Sequence, residues 1–152
     1  MRRVLASTAL WLGLFGTSLA VQNQNEGTLM SAKGTFEVHL TPQEDVETPA
    51  GRMLINKTYQ GDLIGFGTGQ MISKRTENGT AVYYAVEEFS GSVTGKKGGF
   101  TLLHSGRMNS ESQSLEIIIL DGSGSGELES ISGSMVIIQD SSGHSYELEF
   151  EL

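Results

Sequence analysis

The chain has no cysteine in 152 residues and only 10 Lys and Arg against 18 Asp and Glu, a formal net charge of −8. The missing thiols exclude a disulfide framework, a lipid-modified cysteine anchor, a cysteine nucleophile and a thiolate metal site. The shortage of basic residues argues against nucleic acid as a partner, because binding a phosphate backbone requires clustered Lys and Arg. No run of 18 apolar residues occurs, so a stable membrane span is not expected. The three histidines, His39, His104 and His144, lie far apart and form no His-x-His or His-x-x-x-His pair, so the usual metal-ligand spacings are missing. Neither dinucleotide nor phosphate-loop glycine spacing is present, and Gly122-Ser-Gly-Ser-Gly126 is a glycine-serine turn with Gly124 at its centre, where a nucleophile elbow would carry the serine. No cofactor and no metal is therefore expected.

The first 20 residues are unlike the rest. Arg2 and Arg3 precede an apolar stretch from Val4 to Gly16, and Thr17-Ser18-Leu19-Ala20 supplies small residues at the cleavage positions of a secretory signal peptide. Cleavage after Ala20 would leave 132 residues carrying 8 basic and 18 acidic side chains, a net charge of −10. The expected product is exported, periplasmic or secreted. Residues 21–31 are polar and without period, a flexible lead, and residues 32–152 form one domain of ordinary size.

Within that domain the hydrophobic period is two. Phe36, Val38 and Leu40 alternate with polar residues, as do Tyr146, Leu148, Phe150 and Leu152. Further β-rich runs at 51–60, 62–73, 80–94, 99–108, 114–121 and 133–140 bring the count to eight strands, bounded by Gly, Asn, Asp and Ser turn signals. Most connections are hairpin-sized, which makes the order an antiparallel meander. The longer ones are Pro42 to Ala50, holding both prolines, and Gly122 to Gly133, where a single helical turn at Glu127 to Ile131 is the most that could form. Gly65, Gly67 and Gly69 alternate along the third run and read as bends where a sheet curls. Eight curled antiparallel strands predict a closed β-barrel, with a β-sandwich as the competing architecture.

Three polar residues fall on the apolar side of their strands. Lys57 shares parity with Met53, Ile55 and Tyr59; Glu87 with Tyr83, Ala85 and Phe89; His104 with Phe100, Leu102 and Met108. An inward ionisable group is costly unless paired or used, so a cavity lined by Lys57, Tyr59, Tyr83, Glu87 and His104 is the candidate ligand site. Glu87 and His104 are the candidate proton-transfer groups, and Lys57 the group that would stabilise negative charge. The alternative is a structural Lys57–Glu87 salt bridge with His104 as a hydrogen-bonded core residue. Tyr84, Val86, Val82, Ile118 and Leu120 make the other faces of their strands apolar too, so the outside of the barrel is covered or meets another subunit, as in a homo-oligomer.

Gly34-Thr-Phe-Glu-Val38, Gly51-Arg-Met-Leu-Ile-Asn-Lys-Thr-Tyr59 with Gly61-Asp-Leu63, Gly99-Phe-Thr-Leu-Leu-His-Ser-Gly106 and Gly124-Ser-Gly-Glu-Leu128 with Ser132-Gly133 resemble an uncharacterised bacterial domain-of-unknown-function family, itself similar to the allene oxide cyclase barrel. The resemblance runs from about residue 31 to 152. It implies an eight-stranded antiparallel barrel, with Lys, Glu and His in relatives at the places of Lys57, Glu87 and His104. Family members commonly lack a leader, and this chain departs from them there. Three readings stand: an exported barrel binding a small, largely apolar molecule; an isomerase or cyclase of the same shape; and a ligand-free interaction module.

Overall fold

The computed structural model describes residues 27–44 and 49–152. The signal peptide expected over residues 1–20 lies outside the described residues.

Among the described residues nine strands run in chain order: β1 Met30–Pro42, β2 Gly51–Gly61, β3 Leu63–Arg75, β4 Ala81–Val93, β5 Lys96–Met108, β6 Gln113–Ile119, β7 Ser125–Gly126, β8 Ser132–Asp140 and β9 Gly143–Glu151. Each long strand pairs antiparallel with the next, β1 pairs with β9, and β4 pairs with β5, so eight of the nine close into a ring. A sandwich would leave two separate sheets; this closure excludes it. No described residue is helical.

Three local expectations change. β1 begins at Met30, paired with Phe150, so the flexible lead expected through residue 31 gives way two residues earlier. The connection between the runs expected at 80–94 and 99–108 shrinks to a two-residue turn, Thr94-Gly95, with both residues at positive φ (48° and 89°). That backbone matches the right-handed twist of a two-residue hairpin. The segment Glu127 to Ile131 forms no helical turn; two successive tight turns, Leu128 N–H to Ser125 O and Ile131 N–H to Leu128 O, both 3.1 Å, occupy it instead.

Those turns have a packing purpose. β6 is seven residues long and β5 thirteen, so half of β5 would present an unpaired edge. β7 pairs with Gly98 and Gly99 there, while the Ser123 and Ser125 hydroxyls accept bonds from the Thr101 and Gly99 amides, each 3.0 Å. Leu128 and Ile131 then turn inward and are fully buried, closing that end of the barrel.

Inside, Phe36, Tyr59, Phe89, Phe100 and Tyr146 form one aromatic chain with centroid separations of 4.9 to 5.6 Å. Leu63, Val93, Leu102, Ile119, Leu148 and Phe150 fill the space between them and the plug. The opposite end is different. Val38, Met53, Met71, Tyr83, Met108, Leu115 and Ile137 point the same way along their strands but are only half-buried. The barrel is filled at the β7 end and lined by partly accessible apolar side chains at the other.

Candidate functional site

Where the filled half meets the half-open one, a carboxylate sits at zero exposure. Glu87 Oε2 accepts from Lys57 Nζ at 2.7 Å, and Oε1 accepts from the Tyr59 hydroxyl at 2.7 Å. Lys57 Nζ also donates to the Tyr59 hydroxyl at 3.2 Å and lies 4.7 Å from the centre of the Phe36 ring, within cation–π range. His104 Nε2 stands 3.0 Å from Glu87 Oε2, but off the direction of the ring N–H, so this buried nitrogen makes no well-formed hydrogen bond.

The register explains how residues of non-adjacent strands meet. Lys57 and Tyr59 belong to β2 and Glu87 to β4, with β3 between them. The inward positions of β3 at this level are Gly67, paired with Lys57, and Gly69, paired with Glu87. With no side chain on β3, the lysine, phenol and carboxylate close over it. A methyl group at Gly67 would collide with Glu87 Oε1 and come within 3.0 Å of Tyr59 Cε2. The glycine alternation read as curvature therefore also clears the volume for the site.

Burial and pairing pull the Glu87 carboxyl in opposite directions. Burial pushes its pKa up; the contacts with His104, Lys57 and Tyr59 together outweigh it and hold the carboxyl below the ordinary glutamate value. Tyr59 is pushed far above the usual phenol range, first by burial and then by the adjacent Glu87 charge. Tyr59 is thus a fixed neutral donor to a fixed anion.

Of the five ligand-facing residues expected from sequence, four converge: Lys57, Tyr59, Glu87 and His104. Tyr83 does not join them. Its ring lies over Gly106 in the half-open end, and burial raises its pKa. Among the described residues no hydrogen bond links Tyr83 to the cluster. Phe36, Gly67 and Gly69 were not anticipated as site residues; the paired signal was the bare β3 face opposite two inward ionisable positions. Among the described residues no group of three or more His, Asp or Glu is placed to hold a metal ion.

The profile of a family described as "Protein of unknown function (DUF3224)" matches residues 32–150, nearly the whole barrel. The chain belongs to the DUF3224 family. A crystal structure of a DUF3224 protein of unknown function from Shewanella oneidensis MR-1 is similar at 34% identity and a TM-score of 0.75, covering 81% of this chain and 97% of that one. No curated protein matches the chain. Membership in DUF3224 agrees with the barrel and with the family resemblance carried by the glycine-anchored motifs.

Proposed function

We propose that this DUF3224 barrel is an exported binding protein that holds a small, largely apolar and uncharged molecule in its half-open end. The observation that carries the reading is the pairing of Lys57 with Glu87 beneath a ring of partly accessible apolar side chains. The pair is electroneutral: the lysine that could have attracted an anion is already matched by a carboxylate at 2.7 Å. An anionic ligand head would have to displace Glu87, whereas a carbonyl or hydroxyl needs only a polar contact. His104, whose Nε2 stands 3.0 Å from Glu87 Oε2 without a well-formed hydrogen bond, is the group that would turn to supply it. The half-exposed Met53, Met71, Tyr83, Leu115 and Ile137 provide the apolar wall.

The isomerase or cyclase reading rests on His104 alone. Glu87 already accepts from Lys57 and Tyr59 and is held in its ionised form, which leaves it a poor proton acceptor and suits it to orienting its neighbours. On β1 and β9 the paired Lys33 and Glu147, together with Glu149, project outward, so this part of the wall faces water.

Protein recovered from its native compartment and examined by native mass spectrometry is expected to carry a co-purifying neutral molecule, retained less by His104→Ala. An empty barrel under gentle conditions would overturn the binding reading. Sequencing of the exported protein is expected to begin at Val21, and retention of residues 1–20 would overturn cleavage after Ala20.

A further inference from the structure

The outer face of β3 to β6 carries apolar residues where a barrel facing only water would carry polar ones. The register sets them in four rows. Lys74, Val82, Arg107 and Ser114 form the first; Ile72, Tyr84, Ser105 and Glu116 the second; Gln70, Val86, Leu103 and Ile118 the third; Thr68, Glu88 and Thr101 the fourth. The central rows are open to solvent: Ile72 is 46% exposed, Tyr84 53%, Val86 51% and Ile118 41%. A contiguous patch of this kind on a barrel is an association surface.

We infer that its occupant is a second copy of this chain, packed face to face about a two-fold axis that runs across the strands between the Tyr84 and Val86 rows. Such an axis lies in the plane of contact, so each row meets the row at equal distance on the other side of the axis. The second row then covers the third: Tyr84 meets Val86 of the other copy, and Val86 meets Tyr84. The first row covers the fourth. Arg107 of one copy comes beside Glu88 of the other, one strand over, and the reverse contact repeats it. The charges are sorted accordingly: the basic pair Lys74 and Arg107 flanks the apolar rows at one end, and Glu88 flanks them at the other. An axis along the strands would instead put Arg107 on Val82 and Glu88 on Thr101, wasting the complementarity. Glu116 lies at the margin on β6, where the barrel curves away and water reaches it.

Three strands, β3 to β5, about 4.8 Å apart by four rows about 6.8 Å apart cover roughly 400 Å² per copy. Two copies bury roughly 800 Å² together, below the ~1,000 Å² of a stable specific interface, so the dimer is weak and reversible rather than obligate. The protein's overall negative charge opposes association, and the Arg107–Glu88 contacts locally offset that repulsion.

Sedimentation equilibrium of the mature chain beginning at Val21, at hundreds of micromolar, is expected to approach twice the monomer mass. Val86→Glu is expected to give a monomer with an unchanged circular dichroism spectrum. Arg107→Glu should weaken association by about 5-fold, the range of an exposed ion pair, and Glu88→Arg in the same chain should restore it by reversing both contacts. A monomeric parent chain, a Val86→Glu variant that still dimerises, or a double reversal that restores nothing would each overturn the arrangement.

Discussion

Glu87 has two partners donating to it and a third polar group at 3.0 Å, yet it contributes no charge that solvent can see. Removing one member of such a pair leaves the other charged and buried, which costs far more than removing both. Lys57→Met is therefore expected to lower the unfolding free energy by about 3–5 kcal/mol, and adding Glu87→Gln to recover most of that loss, measured by urea titration. Recovery of less than about a third would mean that Lys57 acts through Phe36 rather than Glu87. The pH dependence follows from the same pair. The Glu87 carboxyl has a lower pKa in the fold than in the unfolded chain, so the folded form binds fewer protons. Its stabilisation is complete above the ordinary glutamate value and is lost as pH falls from there through the lowered one. Asp140, held low by its bonds with Ser142, acts in the same sense. Urea midpoints measured between pH 7 and pH 3 should fall on acidification, and Glu87→Gln should shallow that fall. An unchanged slope in Glu87→Gln would show that Glu87 does not carry the effect.

At the level of the strands, much was legible because period-two alternation is read directly off residues that point alternately in and out. Phe36, Tyr59, Phe89, Leu102 and Leu148 were assigned inward by parity, and all are buried. The parity of Lys57, Glu87 and His104 located the polar cluster for the same reason. What the chain did not disclose is which strands share a layer. That Lys57 meets Glu87 across β3 depends on register, and only the bare positions at Gly67 and Gly69 hint at it. Nor was β7 legible: a two-residue strand has no period, and its role is set by the difference in length between β5 and β6. The Thr94-Gly95 turn carries a prediction at this scale. Thr94 is a β-branched residue at φ 48°, where Asn and Gly are favoured. Thr94→Asn is expected to raise stability by about 0.5–1 kcal/mol in thermal unfolding. A decrease would mean that the Thr94 hydroxyl bond to Val93 O, 2.8 Å, outweighs the backbone strain.

For the molecule as a whole, order without cross-links comes from closing the sheet on itself. The closure is uneven. β3 and β4 share thirteen ladder pairs and β4 and β5 another thirteen, whereas β6 and β8 are joined by the single pair Ile118 and Ser134. The β6–β8 junction is consequently the place where the barrel should open first. Amide exchange near Ile118 and Ser134 is expected to be faster than at the centre of β4 by at least 10-fold, and equal protection across the ring would contradict that.

The pairing of β1 with β9 also sets a timetable. Met30 meets Phe150, so the first strand to be synthesised waits for the last before the ring can close. Such long-range closure is slow, and among the described residues β9 is the strand that satisfies the edge of β1 on that side. A ribosome still adding residues 143–151 is holding an open sheet, which favours a chain kept unfolded until synthesis is complete. That is the condition under which a polypeptide can be threaded across a membrane before it folds.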